Sequence, residues 1–262
     1  MKPGDFGCVV LDLDGTLYHA GKPLPGAAEA VARLRAAGLP VRFLTNTFST
    51  PPEAVEARLR GFGLEVRSGE LFTPHRAIAA HLGERLAAKP ALRVHAFLND
   101  ATRAFMDYLP ATVEEAPDLL LVGDADERWS YGALDRLLGF LLGGAEFVAS
   151  SPATTFVGRD GRPHLDTGAL VALLEAASGK RARAMGKPSP ELSRLVARGA
   201  GVPEESLLFV GDDPAVDMAA ARAVGARSIL VETGKGAAAP RIPPPDAVIP
   251  SLAALPAFLG LA

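Results

Sequence analysis

Short apolar runs alternate along this chain with segments whose apolar residues recur at helical spacing. This alternation is typical of βαβ units, in which a helix returns the chain to the next parallel strand. Strands of a parallel sheet are covered on both faces, so they read as nearly continuous apolar runs. The pattern therefore predicts an α/β fold built on a parallel sheet. The predicted strands are Phe6–Leu11, Val41–Thr45, Val94–Leu98, Leu119–Val122, Phe147–Ala149, Leu207–Val210, Ser228–Val231 and Ala247–Ile249.

Signals for the start and end of helices lie between these runs. Proline opens two helical segments, at Pro52 and Pro188, where its missing N–H costs no hydrogen bond. Gly38 follows another segment at the position where glycine commonly ends a helix. The stretch Ala237–Asp246, rich in alanine and proline, is predicted to be a surface loop. The predicted helices are Pro25–Ala37, Pro52–Arg60, Ser130–Leu142, Asp166–Ala177 and Pro188–Arg198.

Composition and charge exclude several classes of protein. The 262 residues contain 27 Lys and Arg against 30 Asp and Glu, a net charge of −3, so no basic field predicts binding to nucleic acid or to an anionic membrane surface. The single cysteine, Cys8, excludes an intramolecular disulfide framework and is expected in the core of the first strand. No apolar stretch approaches the roughly 18 residues of a membrane span, and the N-terminal residues lack the apolar core of a signal peptide. The chain is therefore expected in the cytoplasm.

Two carboxylates follow the first predicted strand. Asp12 and Asp14 lie in the segment Val9–Thr16, and positions i and i+2 of a strand share one face about 6.5 Å apart. Ligand sites of open α/β sheets lie at this carboxyl edge. Two acids that converge there repel one another unless a cation or a catalytic role offsets the repulsion. The alternatives are solvated turn acids or a calcium loop, although Gly15 does not have the spacing of an EF-hand glycine.

A second acidic cluster repeats this arrangement near the other end of the chain. The apolar run Leu207–Val210 leads into a Gly-Asp-Asp turn, and the carboxylates of the cluster belong to Asp212, Asp213 and Asp217. Asp213 or Asp217 could instead cap the helix that follows or complement its dipole. Carboxylates without histidine or cysteine fit a hard cation, and Mg²⁺ is the natural choice.

Two further segments carry groups that suit phosphate chemistry. Thr45 and Asn46 follow the second predicted strand, and Lys187 lies just before a predicted helix. A hydroxyl, exposed backbone N–H groups and an ammonium can together neutralise the equatorial oxygens of a transferring phosphoryl group. A carboxylate can attack phosphorus in line to give an aspartyl-phosphate, and a second carboxyl group can protonate the leaving oxygen. The motifs of the P-loop, the nucleophile elbow and the zinc proteases do not occur in the sequence.

The order of these motifs resembles that of the haloacid dehalogenase (HAD) superfamily of phosphatases. The series is Asp-x-Asp-Gly-Thr, Thr-Asn, Gly-Lys-Pro and Gly-Asp-Asp-x₃-Asp, and the resemblance covers the whole chain. The long interval between Asn46 and Lys187 is similar to subfamily IIA, which has a large α/β cap between the second and third motifs and includes 4-nitrophenylphosphatase-like enzymes. Phrases such as Asp166–Leu170 and Val231–Lys235 look closest to the phospholysine, phosphohistidine and inorganic pyrophosphate phosphatase group.

The resemblance implies a role for each matching residue of the first three motifs. Asp12 is the expected nucleophile and a Mg²⁺ ligand. Asp14 is the expected general acid and base, and its backbone carbonyl is expected to bind the metal. Thr45 and the backbone N–H of Asn46 are expected to bind phosphate, and Lys187 is expected to steady both the nucleophile and the phosphate.

The last acidic motif supplies the rest of the implied metal site. Asp212 is the expected Mg²⁺ ligand. Asp213 or Asp217 is expected in the outer sphere of the metal or bound to it through water, and the resemblance leaves open which of the two contacts the metal.

The resemblance also divides the chain into two parts. It implies a Rossmann-like HAD core at residues 1–77 and 183–262 and an inserted α/β cap at residues 78–182. Caps of this kind cover the active site, exclude water and choose the substrate. They often mediate dimers, so a homodimer through the cap is a further expectation.

The candidate specificity segment of the cap is Ser150–Asp166, which concentrates charged side chains. Arg159, Arg162 and His164 are the candidates for substrate contacts. The alternative is that this segment is a solvated β-hairpin around Asp160-Gly161.

The function that follows is Mg²⁺-dependent hydrolysis of a small soluble phosphorylated compound through an aspartyl-phosphate. Inorganic pyrophosphate or a phosphoamide is the alternative substrate. A non-enzymatic phospho-acceptor of the receiver type is a second alternative, although such domains need roughly half this length. A binding protein on the same scaffold is a third, and the presence of every expected acid argues against it.

Overall fold

The computed structural model describes residues 1–157 and 162–261 of the chain. Within these residues all eight predicted strands are present, with ends shifted by at most two residues, and Cys8 is buried in the first of them. The strands are β1 Cys8–Leu11, β2 Tyr18–His19, β3 Lys22–Pro23, β4 Val41–Leu44, β5 Leu71–Phe72, β6 Val94–Phe97, β7 Leu119–Val122, β8 Glu146–Ala149, β9 Thr155–Val157, β10 Pro163–Leu165, β11 Arg183–Ala184, β12 Leu207–Gly211, β13 Arg227–Val231 and β14 Ala247–Ile249.

All five predicted helices are also present, with ends shifted by two residues or fewer. Two of them follow directly on a polar residue that caps them. Ser130 Oγ accepts a hydrogen bond from the Ala133 N–H at 3.2 Å, and Asp166 Oδ1 accepts one from the Thr167 N–H at 2.7 Å. The helices are α1 Ala27–Ala36, α2 Pro52–Gly61, α3 Pro74–Ala88, α4 Asp100–Ala104, α5 Tyr131–Leu142, α6 Thr167–Ser178, α7 Pro190–Ala200, α8 Ala219–Ala223 and α9 Leu255–Phe258, with a π-helical turn at Pro214–Met218.

One compact part of the chain, here called the core unit, comprises Met1–Thr45, Pro52–Thr73 and Lys187–Ala262. Its six-stranded sheet has the order β14-β13-β12-β1-β4-β5, and every neighbouring pair is parallel. From β1 the chain first builds the sheet toward β5 and later toward β14, so the strand order reverses between β1 and β12. Ligand sites of open α/β sheets lie at such a switch point, at the carboxyl ends of the strands.

Apolar side chains hold the central strands of the core unit in place. Val9 and Leu11 of β1 and Phe43 of β4 are buried together with Leu34 of α1 and Leu255 of α9. Each such side chain contributes about 1.5–3 kcal/mol when it is removed from water. The polar residues that follow β1, β4 and β12 are therefore positioned by strands that are packed into a core.

The second compact part, here called the inserted unit, comprises Asn46–Pro51 and Pro74–Gly186. Its four-stranded sheet has the order β11-β8-β7-β6, again with every pair parallel. Helices α5 and α6 pack on one face of this sheet through Leu137 and Leu174. Strands β9 and β10 pair with each other in antiparallel orientation. The predicted fold class, an α/β chain with a parallel core sheet and an inserted α/β unit, is confirmed.

The division of the chain falls four residues from each predicted cap boundary. The cap was predicted at 78–182, whereas the main segment of the inserted unit runs from Pro74 to Gly186. Position 78 lies inside α3, a helix that the sequence analysis did not predict. The change from one unit to the other instead comes before Pro74, the first residue of that helix, so that α3 belongs to a single unit.

Among the residues that the structure describes, the helices are too short or too polar for any of them to cross a bilayer. The cytoplasmic location stays a prediction from the sequence.

Candidate active site

The first acidic motif leaves β1 at the switch point of the core sheet. The Asp12 N–H donates to the Val210 carbonyl at 3.0 Å, so the chain stays paired with β12 for one residue beyond β1. The Asp12 side chain is mostly buried, and the Thr16 hydroxyl lies 3.4 Å from its Oδ2. Asp14 is 69% exposed, and its Oδ1 lies 3.5 Å from His19 Nδ1. The two carboxylates of this motif therefore have different environments, one inside the core unit and one facing solvent.

The last acidic motif divides its carboxylates between two environments. Asp212 and Asp217 are buried. Asp213 Oδ1 accepts a hydrogen bond from the Ala215 N–H at 3.0 Å, and its Oδ2 lies 2.8 Å from Lys235 Nζ. Asp213 thus has the geometry of the helix-capping alternative, and Asp217 is the residue that joins the buried cluster.

Lys187 is the cation of this buried cluster, with only 2% of its side chain exposed. Its Nζ donates to Asp12 Oδ1 at 2.5 Å, to Asp217 Oδ1 at 2.6 Å and to the Leu44 carbonyl at 3.3 Å. An ammonium has three donors, and all three are used here. Lys187 therefore connects the ends of β1 and β4 with the turn after β12, although it follows Asp12 by 175 positions in the sequence.

Three carboxylates surround a place that fits a divalent cation. Asp12, Asp212 and Asp217 each present an oxygen within 4.8 Å of the others. Burial raises the pKa of Asp12 and of Asp212 to about 6 and that of Asp217 to about 7. Burial would lower the pKa of Lys187, but Asp12 and Asp217 raise it above its usual value. One ammonium leaves the ionised cluster two negative charges in excess, and oxygen donors are the ligands that Mg²⁺ prefers, so the cluster fits this ion in both charge and chemistry.

The predicted phosphate-binding residues lie in different units. Thr45 is buried at the end of β4, and its N–H donates to the Phe72 carbonyl at 3.1 Å. Asn46 is the first residue of the inserted unit. Its side chain lies close to Gly186, since a Cβ added to that glycine would come 2.8 Å from Asn46 Oδ1. The phosphate-binding roles of both residues, and metal binding by the backbone carbonyl of Asp14, stay predictions.

Two of the three predicted specificity residues, Arg162 and His164, lie just before and on β10. Arg159 lies outside the described residues. Arg162 is exposed just before β10, and the ring of His164 stacks on Phe156 of β9 with centroids 5.5 Å apart. The antiparallel pairing of β9 with β10 agrees with the hairpin alternative, but its turn at Asp160-Gly161 lies outside the described residues. The role of these side chains in specificity stays a prediction.

The sequence analysis missed the turn that holds Asp212. The Lys235 N–H donates to Asp212 Oδ2 at 2.7 Å, and the Thr233 hydroxyl donates to the Gly15 carbonyl. Both residues follow β13, which lies next to β12 in the sheet. Because the carboxyl ends of parallel strands meet at one edge, the polar residues after the strand at Ser228–Val231 were the signal that could have found this turn.

A carboxylate in the inserted unit was also missed. Asp124 follows the buried strand β7, and its Oδ1 accepts a hydrogen bond from the Thr167 hydroxyl at 3.0 Å. Burial raises its pKa. The signal was an apolar run followed by Gly-Asp, the same pattern that identified Asp212.

A parallel α/β sheet with buried carboxylates and a lysine at its switch point suits the binding and transfer of phosphoryl groups. Residues 9–108 match the family model for haloacid dehalogenase-like hydrolases, and residues 184–255 match the model described as HAD-hydrolase-like. The chain belongs to the haloacid dehalogenase-like hydrolase family, and it is an enzyme of the phosphatase type.

Curated and structural relatives agree with this assignment. Haloacid dehalogenase-like hydrolase domain-containing protein 2 of Homo sapiens is 34% identical over 227 residues, which cover 87% of this chain and 84% of that protein. The phospholysine phosphohistidine inorganic pyrophosphate phosphatase of Xenopus laevis is 35% identical over 235 residues, 87% of this chain and 83% of that protein. The crystal structure of 4-nitrophenylphosphatase from Thermotoga maritima matches with a TM-score of 0.83 and 27% identity over 98% of each chain.

Proposed function

We propose that this protein is a Mg²⁺-dependent phosphatase that hydrolyses a small phosphorylated compound through an aspartyl-phosphate on Asp12. The observation that carries the proposal is the buried ammonium of Lys187, held between Asp12 at 2.5 Å and Asp217 at 2.6 Å. A paired ammonium favours the ionised form of a buried carboxylate and fixes its orientation, which are the two requirements of a carboxylate nucleophile.

In the first step an oxygen of Asp12 attacks phosphorus in line, and the bond from phosphorus to the leaving oxygen breaks. The carboxylic acid of Asp14 gives its proton to that oxygen. The exposure of Asp14 suits this task, since the side chain must reach the substrate. The Thr45 hydroxyl and the Asn46 N–H bind the phosphoryl oxygens, and the ammonium of Lys187, whose three N–H groups already have partners, offers these oxygens its positive charge.

In the second step the carboxylate of Asp14 takes a proton from water, and the water oxygen attacks phosphorus. The bond from phosphorus to Asp12 breaks, and phosphate leaves with both side chains restored. Asp12, Asp212, Asp217 and the Asp14 carbonyl would hold Mg²⁺. When bound, this ion offsets the repulsion between the anionic nucleophile and the anionic substrate.

Removal of the metal is expected to abolish hydrolysis. EDTA should lower kcat for 4-nitrophenyl phosphate by at least about 100-fold, and added Mg²⁺ should restore it. Because the ion binds the folded chain, Mg²⁺ at 100 times its Kd should also stabilise the protein by about 2.7 kcal/mol, measured by urea unfolding. Undiminished turnover by protein that elemental analysis shows to be free of divalent metal would contradict the proposal.

The substrate class is tested by a panel with released phosphate as the readout. The relative named for phospholysine, phosphohistidine and inorganic pyrophosphate makes these three compounds the first comparison. Sugar phosphates, nucleoside monophosphates and pyridoxal phosphate complete the panel. If kcat/KM for one of these three compounds exceeds kcat/KM for every phosphate ester in the panel, the phosphoamidase or pyrophosphatase alternative is supported. An aspartyl-phosphate that persists for minutes would indicate a phospho-acceptor, and Mg²⁺ binding without hydrolysis of any compound would indicate a binding protein.

We also propose that two copies of the chain associate through the inserted unit. Tyr131 and Leu142 on α5 are 81% and 66% exposed, and Leu173 on the adjacent α6 is exposed as well. Exposed large apolar side chains on neighbouring elements favour a protein–protein contact. Asp135 and Arg136 lie between Tyr131 and Leu142, so the contact is expected at the end of α5 around Leu142, where residues 137–142 carry no charge.

Replacement of Leu142 by glutamate is therefore expected to convert a dimer into a monomer. Light scattering coupled to size exclusion should report twice the chain mass for the wild type and the single mass for Leu142→Glu, because a charge buried without a partner is costly. Ile242→Glu is the matched control, since Ile242 is similarly exposed, at 74% against 66%, but belongs to the core unit. A monomeric wild type would disprove this part of the proposal.

A further inference from the structure

The turn Thr233–Lys235, which follows β13, contacts both acidic motifs of the core unit. The Thr233 hydroxyl donates to the Gly15 carbonyl, and the Lys235 N–H donates to Asp212 Oδ2 at 2.7 Å. We infer that this turn is a positioning element that orients the Asp212 carboxylate for cation binding. The inference rests on the proposed function, in which Asp212 is a Mg²⁺ ligand, and it assigns a role to residues outside the four motifs.

Two glycines enclose the Asp212 carboxylate. A Cβ on Gly15 or on Gly234 would lie 2.1 Å from Asp212 Oδ2, closer than any side chain can approach. Gly234 also has a φ of +53°, a left-handed conformation that glycine adopts without strain. A side chain at either position would therefore displace the carboxylate. Its Oδ1 accepts no hydrogen bond from the part of the chain that the structure describes, so that this oxygen remains for a cation.

Lys235 holds the last acidic motif at two points. Its backbone N–H donates to Asp212 Oδ2 at 2.7 Å. The ammonium of Lys235 adds a second anchor, since it lies 2.8 Å from Asp213 Oδ2 in the same motif.

The tether from Thr233 to Gly15 determines where the Lys235 N–H points. It ties the turn after β13 to the turn after β1, and the N–H itself can be removed only by proline, which would also constrain the backbone of the turn. Outer residues that orient metal ligands typically change metal affinity by about 10- to 100-fold when they are removed. The hydroxyl of Thr233 is therefore the group to change.

Thr233→Val is expected to raise the Kd for Mg²⁺ by about 10-fold, measured by calorimetry on the full chain without substrate. Thr233→Ser keeps the hydroxyl and should retain the affinity of the wild type. Glu232→Gln is the neighbouring control, because Glu232 pairs with Arg241 at 2.8 Å and does not touch Asp212. In the assay, Thr233→Val should need about 10-fold more Mg²⁺ for half activity while kcat and substrate KM at saturating Mg²⁺ stay within about 2-fold.

A Thr233→Val variant with the same Mg²⁺ Kd as the wild type would overturn the inference. Asp212→Asn separates this result from failure of the proposed function. If the wild type and Asp212→Asn bind Mg²⁺ alike, Asp212 is not a ligand and both the metal site and the inference are wrong. If Asp212→Asn weakens Mg²⁺ binding and Thr233→Val does not, Asp212 is a ligand and only the inference about the turn is wrong.

A second pair of variants decides the question if circular dichroism shows that Thr233→Val is unfolded. Gly234→Ala pushes a Cβ into the Asp212 carboxylate, and Gly38→Ala introduces the same left-handed strain, at φ +79°, where nothing lies within 4 Å. Weaker Mg²⁺ binding by Gly234→Ala than by Gly38→Ala supports the inference. Equal binding by the two variants overturns it.

Discussion

Asp12→Asn is expected to lower kcat for 4-nitrophenyl phosphate by at least about 10³-fold, because the amide cannot attack phosphorus. No aspartyl-phosphate should form, and mass spectrometry after acid quenching would detect its absence. The variant should still fold, since an amide fills the same volume next to Lys187. Asp213→Asn is the comparison within the same set of acids, because Asp213 caps a turn and is expected to affect kcat by less than about 10-fold.

Asp12→Asn should also increase the stability of the metal-free protein. Burial raises the pKa of Asp12 from its usual 3.8 to about 6, so the folded chain binds this proton more tightly than the unfolded chain. Stability therefore falls as the pH rises from about 4 to 6, and the full penalty is present above pH 6. Removing the charge should raise the free energy of unfolding in EDTA at pH 7.5 by about 1–2 kcal/mol. Full turnover by Asp12→Asn would rule out the covalent mechanism, and a large loss of stability would show that the carboxylate is structural.

Lys187→Met is expected to cost both activity and stability. It removes the ammonium that compensates Asp12 and Asp217, and loss of one partner of a buried ion pair costs about 3–5 kcal/mol. Urea unfolding in EDTA measures this loss. kcat should fall by about 10²- to 10³-fold at saturating Mg²⁺, because the phosphoryl oxygens lose one source of positive charge.

A double-mutant cycle distinguishes this charge effect from lost packing. In the background of Asp217→Asn one buried carboxylate is already neutral, so Lys187→Met should cost less there than in the wild type. Lys180→Met is the control for removing a lysine, since the one partner of Lys180 Nζ among the described residues is the Ala145 carbonyl, at 2.9 Å. Equal losses for Lys187→Met and Lys180→Met would mean that the central ion pair does not hold the site together.

The strands could be predicted because a strand that is buried on both faces consists almost entirely of apolar residues, and such a segment is visible in the sequence. Leu119–Val122 and Ala247–Ile249 were predicted with the same ends that the structure has. The two-residue strand β5, Leu71–Phe72, was missed because it is too short to form a pattern. Helix α3, Pro74–Ala88, is long enough to form a pattern. It was missed because buried His75 and His81 interrupt the apolar stripe that identifies an amphipathic helix.

The candidate site was predictable as a set of residues but not as an arrangement. The sequence placed Asp213 and Asp217 after the same strand, with equal grounds for either to reach the metal. The fold gives them different partners. Asp213 accepts hydrogen bonds from the Ala215 N–H and from Lys235, whereas Asp217 accepts one from Lys187. The choice depends on partners that are distant in the sequence, so no local pattern contains it.

The chain by itself determined the parallel sheet, the acids at the strand ends and the class of chemistry, since each depends on short-range patterns of burial and turn residues. Only the tertiary structure decided which carboxylates share one cluster and which oxygen the Thr233–Lys235 turn holds. The reason is that a parallel sheet brings the ends of β1, β12 and β13 to one edge after connections of different lengths. Distances between those ends are set by strand order, and strand order is a property of the packed sheet.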